Sequence, residues 1–367
     1  MSSKNDLTLV VGARPNFMKA APLWRALQND GRATVRLIHT GQHFDENMSK
    51  VFFEQLGLPK PDADLNIHTG TPANQIAQVI TALGDEFTGY RPRMVVVFGD
   101  VNSTLAAAIA ANKMNLPLAH VEAGLRSFDR SMPEEHNRKV TDMLADFLFT
   151  PSEDADQNLL NEGIDNGRIY RVGNIMVDSL VGFRDQAAEL DTYLTMGVEK
   201  RSYALVTLHR PSNVDQIPVL KEILAALGDI GREMPVLFPV HPRTRKIIDS
   251  LAFDSQKSGQ RIMLLEPLGY FDFLNLMINA RLVLTDSGGI QEETTVLGVS
   301  CLTLRDNTER PITIKQGTNQ LVGNKRKGIV DGFHRALDRG SVLSRVPPLW
   351  DGKTADRITA ILAKAIT

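Results

Sequence analysis

The chain has a single cysteine, Cys301, in 367 residues. That excludes an intrachain disulfide and any metal site built from several thiolates. Cys301 lies in the apolar run Val299–Leu304 with no histidine nearby in sequence, so it reads as a buried strand residue rather than a catalytic thiol. Nucleotide signatures are missing as well. No G-x-G-x-x-G follows a strand-like run and no G-x-x-x-x-G-K-[ST] occurs, which argues against a nicotinamide site and a P-loop. No H-E-x-x-H or comparable spacing points to a catalytic metal, so neither metal nor cofactor is expected. Charge of one sign is not in excess: 41 Lys and Arg face 43 Asp and Glu, a net charge of -2, and the basic residues are scattered. Nucleic acid is therefore not an expected partner. Long apolar runs are also absent. The first, Leu7–Val11, is far shorter than a signal core or a membrane span, and no later run approaches one. The expectation is a chain that stays in a reducing cytoplasm, off the membrane.

What the sequence does have is 43% hydrophobic residues and enough length for about two domains. Short runs rich in Val, Ile and Leu recur between segments of helical period, the pattern of a parallel sheet covered on both faces. In the first half these runs are Leu7–Val11, Val35–His39, Met94–Phe98, Leu116–Val121, Phe147–Thr150 and Ile169–Val172. In the second they are Tyr203–Leu208, Val236–Val240, Ile262–Leu265, Leu282–Thr285 and Cys301–Leu304. The series pauses between residues 173 and 201, after Gly173-Asn174, at one amphipathic segment and a charged stretch. The predicted fold is α/β, with two Rossmann-like doubly wound domains facing a cleft: residues 1–173 and 174–353. Residues 354–367 form a terminal helix with the option of returning to the first domain. Ligands of such sheets sit outside the carboxyl ends of the strands, so the residues just after each run are the candidates for chemistry.

Four strand ends stand out. Gly12-Ala13-Arg14-Pro15-Asn16-Phe17-Met18-Lys19 combines a tight turn, a proline suited to a first helical position and two cations, Arg14 and Lys19. It reads as an anion site, with a plain turn bearing solvated cations as the alternative. Asp286-Ser287-Gly288-Gly289-Ile290-Gln291-Glu292-Glu293 ends a strand and opens a helix, whose free N–H groups suit phosphate oxygens. Glu292 and Glu293 would either complement the helix dipole in its first turn or, for Glu293, accept ribose hydroxyls. Phe98-Gly99-Asp100 and His120-Val121-Glu122 carry acidic tips. Asp100 is either functional or a cap for a helix beginning near Asn102. Glu122 ends a strand that the sheet would bury, where an acid is costly unless used or paired. A further acidic pair, Glu134-Glu135, follows Pro133 at a predicted helix start. From the second half come His209 and His241, each just after a strand. A lone strand-end histidine is usually structural, but two on adjoining strand ends favour ligand contact.

Taken in order, Gly12–Lys19, Gly41-Gln42-His43, Gly99-Asp100, His120–Arg126, Pro133–Arg138, Gly173-Asn174, His209-Arg210, Pro239–His241, Asp286–Glu293 and Arg305–Pro311 resemble the non-hydrolysing UDP-N-acetylglucosamine 2-epimerases. The match runs from about residue 7 to residue 323. The resemblance implies a glycosyltransferase-B type fold, a homodimer, and reversible conversion of UDP-GlcNAc to UDP-ManNAc. By similarity Asp100, Glu122 and Glu134 are catalytic carboxylates and His209 the active-site histidine. Arg14, Lys19, His209, Ser287, Gly288-Gly289, Glu293 and Arg310 grip UDP, joined by His241, with Phe273 near the uracil. The inventory suits an elimination: C2–H is not acidic and no nicotinamide is expected, so loss of UDP from C1, removal of the C2 proton by a carboxylate and re-addition of UDP is the route left open. Other UDP-sugars, UDP-glucose or a 2,3-diacetamido uronic acid derivative, fit the same chemistry. A hydrolysing epimerase, a UDP-sugar glycosyltransferase and a binding module without turnover are the more distant readings.

Two departures from the family pattern carry expectations. The usual Gly-Thr-Arg-Pro-Glu start ends in Asn16 here, which alters or removes any role of that acid. Family members activated by UDP-GlcNAc carry Gln-His-Arg and His-Arg-Arg-Glu segments by a second sugar site, whereas this chain has Gln42-His43-Phe44 and His209-Arg210-Pro211-Ser212. Two guanidiniums that would clamp phosphate are thus missing, leaving Gln42 and His43 as a vestigial allosteric region. Weak or absent activation is expected, so rate against UDP-GlcNAc concentration should be hyperbolic; a sigmoidal curve would refute this.

Overall fold

The computed structural model describes residues 6–41, 56–251, 253, 259–338 and 345–366. In chain order its elements are β1 (Asp6–Val11), α1 (Arg14–Asp30), β2 (Thr34–His39), β3 (Ala63–Asp64), α2 (Pro72–Gly89), β4 (Met94–Phe98), α3 (Asn102–Lys113), β5 (Leu118–Val121), α4 (Pro133–Leu144), β6 (Phe147–Thr150), α5 (Glu153–Asn161), β7 (Ile169–Arg171) and α6 (Ile175–Ala188). The second series is α7 (Thr192–Thr195), β8 (Ala204–Thr207), α8 (Pro211–Val214), α9 (Ile217–Glu233), β9 (Val236–Pro239), α10 (Pro242–Ser250), β10 (Ile262–Leu265), α11 (Tyr270–Asn279), β11 (Leu282–Thr285), α12 (Gly288–Leu297), β12 (Ser300–Thr303), α13 (Ile312–Lys315), β13 (Asn319–Leu321), α14 (Arg326–Asp338) and α15 (Thr354–Ile366). No described helix is long and apolar enough to cross a membrane.

The strands form two parallel sheets, each a doubly wound Rossmann-like layer. One has the order β3-β2-β1-β4-β5-β6-β7 and the other β10-β9-β8-β11-β12-β13. Central strands are mostly apolar because both faces are covered: every residue of β1, Asp6 and Thr8 included, and of β4 is buried. The order reverses between β1 and β4 and again between β8 and β11. At such a reversal successive connections leave on opposite faces and open a crevice at the carboxyl ends. In both sheets the motif-bearing loops follow these central strands.

By contacts the chain divides into Met1–Ser179 with Pro348–Thr367, and Leu180–Pro347. Two edge strands, β3 and β13, lie outside the apolar runs of the sequence. They hold two and three residues, and most of those residues are only partly buried, so no hydrophobic run marks them. The pause in the strand pattern is occupied by α6 and the one-turn α7.

The last helix belongs to the first unit. α15 packs against α1, and its N-terminus is held by Asp178 on α6, whose carboxylate accepts Thr354 N at 3.1 Å and Ala355 N at 2.7 Å. The indole N–H of Trp350 donates to Pro151 O at 2.9 Å on the way in. Burial pushes the Asp178 carboxyl above its ordinary value, while the helix N–H groups pull the other way. Asp178→Ala leaves two buried N–H groups without their acceptor, and should cost about 1–3 kcal/mol of stability in denaturant titrations. Amide exchange should then accelerate in α15 first; unchanged exchange there would show that the cap contributes nothing.

Candidate functional site

In the first unit the site is built on the turn between β1 and α1. Asn16, buried in the first turn of α1, accepts Gly12 N at 3.1 Å and Ala13 N at 3.2 Å through Oδ1 and donates from Nδ2 to Phe98 O at 2.9 Å. It thus ties the end of β1 to the end of β4. An ionised acid could accept the first two bonds but could not donate the third. One turn further along α1, Lys19 is buried and forms an ion pair with Glu122.

Glu122 follows β5 with φ of +71°, a left-handed conformation that a non-glycine residue adopts only where its surroundings enforce it. Directly beneath the Lys19–Glu122 pair lies Gly99, at the end of β4. A Cβ there would stand 2.6 Å from Lys19 Nζ and 3.0 Å from Glu122 Oε2, and φ is +62°. Only glycine satisfies both demands.

Asp100 comes next. Helix α3 is capped by Val101 without a side-chain bond, so the expectation that Asp100 might cap it is corrected. Its carboxylate is instead gripped through Oδ2 by Arg138 of α4, at 3.0 Å from Nε and 2.6 Å from the terminal nitrogen. The acidic pair at the start of α4 divides its work. Glu135 is buried and accepts Ser127 N at 2.8 Å, Ser127 Oγ at 2.9 Å, Phe128 N at 3.2 Å and Arg138 at 2.8 Å. Glu134, half-buried, is left for other partners. Lys19, Asp100, Glu122 and Glu134 therefore all lie at the switch-point end of one sheet.

In the second unit the centre is Asp286, fully buried after β11. It accepts His209 N at 3.1 Å, Arg210 N at 3.0 Å and Asn213 Nδ2 at 3.2 Å, fixing the loop after β8. The His209 ring points outward with its side chain 56% exposed, its Nδ1 3.2 Å from Asp286 Oδ1. Partial desolvation by the loops around it, with Arg210, Arg305 and His241 nearby, lowers its pKa despite the pull of Asp286.

Helix α12 opens at Gly288, one residue after Ser287, whose side chain makes no capping bond. Over its first turn lies the Arg310 guanidinium: a Cβ on Gly288 would be 2.6 Å from an Arg310 terminal nitrogen. Arg310 is held by Glu292, Nε to Oε1 at 2.8 Å. The first-turn N–H groups, the hydroxyl of Ser287, the space at Gly289 and a fixed guanidinium thus gather at one helix start, the donor set that an anion would require. Because the helix begins at Gly288, Glu292 and Glu293 stand in its second turn, and the dipole explanation for them is corrected. Glu293 is buried and accepts the Tyr270 hydroxyl at 3.3 Å; burial pushes its carboxyl up to about 8. Phe273 is part-buried in the first turn of α11, on the same helix as Tyr270. His241 caps α10, Nδ1 accepting Arg243 N at 3.3 Å, so it has a structural task whatever else it touches. Gln42, His43 and the Arg14 side chain lie outside the described residues.

The sequence pattern of the UDP-N-acetylglucosamine 2-epimerases matches residues 25–363. The chain is 41% identical to the UDP-N-acetylglucosamine 2-epimerase of Methanocaldococcus jannaschii over 362 residues, covering 97% of this chain and 98% of that one. It belongs to the UDP-N-acetylglucosamine 2-epimerase family. The crystal structure of the M. jannaschii enzyme in complex with UDP-GlcNAc and UDP superposes with a TM-score of 0.89 over 98% of this chain and 99% of that one. The UDP-2,3-diacetamido-2,3-dideoxy-D-glucuronate 2-epimerase of Pseudomonas aeruginosa is 40% identical over 360 residues, covering 97% of this chain and 98% of that protein. A Polygonum tinctorium UDP-glucosyltransferase, 14% identical, shares the glycosyltransferase-B type fold at a TM-score of 0.57, covering 100% of this chain and 94% of that one.

Within this epimerase family fold, the sequence named Glu135 and Arg138 as parts of a motif but gave them no holding role, and it did not single out Asp142. Arg138 grips Asp100, Glu135 orders the loop after Glu122, and Asp142 receives His120. The available signal was the spacing of Glu135, Arg138 and Asp142, a polar stripe at helical period beside a proline start.

Glu293 generates a pH prediction. The folded chain holds its proton up to about pH 8, whereas an unfolded chain releases it near the ordinary glutamate value. Its contribution to stability is therefore complete below that ordinary value and is lost as pH rises towards 8. Glu293→Gln mimics the protonated acid, so its melting temperature relative to wild type should rise steadily from about pH 5 to about pH 9. A difference independent of pH would overturn the assignment.

Proposed function

We propose that this chain interconverts UDP-GlcNAc and UDP-ManNAc by elimination and re-addition of UDP. The observation that carries the proposal is the buried Lys19–Glu122 pair over Gly99, beside the Arg138-held Asp100: carboxylates in a fixed setting at a strand switch point. The anion site at the start of α12, with Ser287, Gly288, Gly289 and Arg310, supports binding of the diphosphate. Glu293 receives the ribose hydroxyls, Phe273 stacks near the uracil, and Lys19, Arg14 and His241 add contacts to the nucleotide.

The C1–O bond to UDP breaks, with its electrons going to the β-phosphate oxygen, and the C2 proton passes to a carboxylate, leaving 2-acetamidoglucal and UDP. A proton then adds to C2 from the opposite face while the phosphate oxygen re-forms the bond at C1. Asp100, Glu122 and Glu134 supply the acid–base groups. His209, neutral near physiological pH because its pKa is lowered, can exchange a proton with the leaving phosphate. The 40% identity to the P. aeruginosa enzyme supports one alternative, the same chemistry on a UDP-2,3-diacetamido uronic acid. The working assembly is a homodimer in the cytoplasm; the exposed Val140 and Met143 on α4 give a second copy an apolar surface to cover.

Proton NMR in D2O with UDP-GlcNAc, without metal or nicotinamide, should show UDP-ManNAc deuterated at C2. Glu122→Gln should lower kcat by about 10²–10⁴-fold with little change in UDP affinity. If UDP-GlcNAc and the diacetamido uronic acid both stay unchanged, the epimerase proposal is wrong.

A further inference from the structure

His120 on β5 is fully buried two residues before Glu122, and the chemistry above gives it no task. Its Nε2 stands 2.8 Å from Gly99 O, and its Nδ1 2.7 Å from Asp142 Oδ1. A carbonyl oxygen only accepts, so Nε2 carries a hydrogen. Asp142 is also engaged on its other oxygen, by Arg126 at 2.7 Å and Gly124 N at 3.2 Å. Burial works against its ionisation, but His120 and Arg126 together hold its carboxyl below the usual range. At 2.7 Å a hydrogen must also lie between Nδ1 and Oδ1.

The groups facing this ring are few. Asp142 comes from α4. Arg126 lies on the loop after β5 and is also bound by Glu162, just after α5, at 2.9 and 2.6 Å. Lys19 and Glu122 stand across Gly99. Helix α4 therefore reaches the Gly99–Asp100 segment at three points, one of them Asn137, whose Nδ2 donates to Asp100 O at 2.8 Å. Asp142 does so through His120 to the Gly99 carbonyl, and Arg138, one turn earlier, through the Asp100 carboxylate.

We propose that His120 is a positioning residue for the epimerisation: a doubly donating imidazole, braced by Asp142, that fixes the Gly99–Asp100 peptide and so sets both Asp100 and the Lys19–Glu122 pair. This rests on the UDP-sugar 2-epimerase proposal. A ring that merely fills the interior would affect folding but not the division between binding and turnover. A ring that sets the carboxylates acts on kcat, since a displacement near 1 Å at reacting groups costs about 10²-fold.

The test uses the full chain labelled with ¹⁵N-histidine, together with His120→Gln and Asp142→Asn. In wild type, two slowly exchanging ring N–H signals should vanish together in His120→Gln. Folded His120→Gln should lose about 10²-fold in kcat with KM for the UDP-sugar within about threefold, because Lys19 is the only group it sets among those proposed to contact the nucleotide. If His120→Gln does not fold, Asp142→Asn should show the same split and lose one ring N–H signal. A single N–H signal from His120, or a folded variant with unchanged kcat, would overturn the proposal. A wild type inactive on both UDP-sugars would instead bring down the epimerase proposal and this role with it, whatever the ring signals show.

Discussion

Charge taken out of water must be matched, and in the first unit one helix does the matching. The buried side of α4 is polar: Glu135, Asn137, Arg138, Thr141 and Asp142. An ordinary covering helix of a parallel sheet would present leucines there. Each charged residue on this side meets an opposite charge or a set of N–H donors, which is the condition under which burial is tolerable. The bonds run to Asp100, His120, Arg126 and the loop at Ser127, so Asp100 and the loop beyond Glu122 are held by one rigid element, while Glu122 itself is paired by Lys19 of α1. Removing one member would leave its partner buried and unpaired, which is why the network behaves as a unit.

The second unit arranges its buried charges by different means. Its key acid, Asp286, is spent on backbone N–H groups of the loop after β8, and its guanidiniums are arranged around Glu309 and Glu292. Burial alone would keep Glu309 protonated, but Arg305, Arg310 and Arg210 hold it well below the usual carboxylate range. The same sheet topology thus supports two kinds of site: one arranges carboxylates, the other arranges donors for an anion. Fold by itself would not tell them apart.

Much of this was legible in the sequence, for a physical reason. Strands buried on both faces are mostly apolar, so β1, β4, β5, β8, β11 and their neighbours marked themselves, and the residues after them marked the site. Edge strands β3 and β13 carry no such signature. Asp100 was ambiguous because a helix cap and an ion-paired acid look alike until Arg138, 38 residues away, is brought up. Glu292 and Glu293 were assigned to a first turn because Gly288-Gly289 read as a turn ahead of the helix, whereas α12 already begins at Gly288. His241 joined the ligand group on strand-end position alone, and local geometry gives it a cap. Partners distant in sequence, such as Asp142 for His120, have no local pattern to announce them.

The return of the last helix has a consequence for synthesis. α15 covers α1 and is seated by Asp178, yet all of the second unit is translated between Asp178 and α15. At roughly 5–20 residues per second the ribosome takes on the order of ten seconds or more over that stretch. Throughout that interval the nascent first unit has an uncovered apolar face on α1 and a buried acid without its helix. The order in which the two units mature is therefore inverted relative to the order in which they begin: the second can close while the first is still waiting for its final segment to leave the exit tunnel.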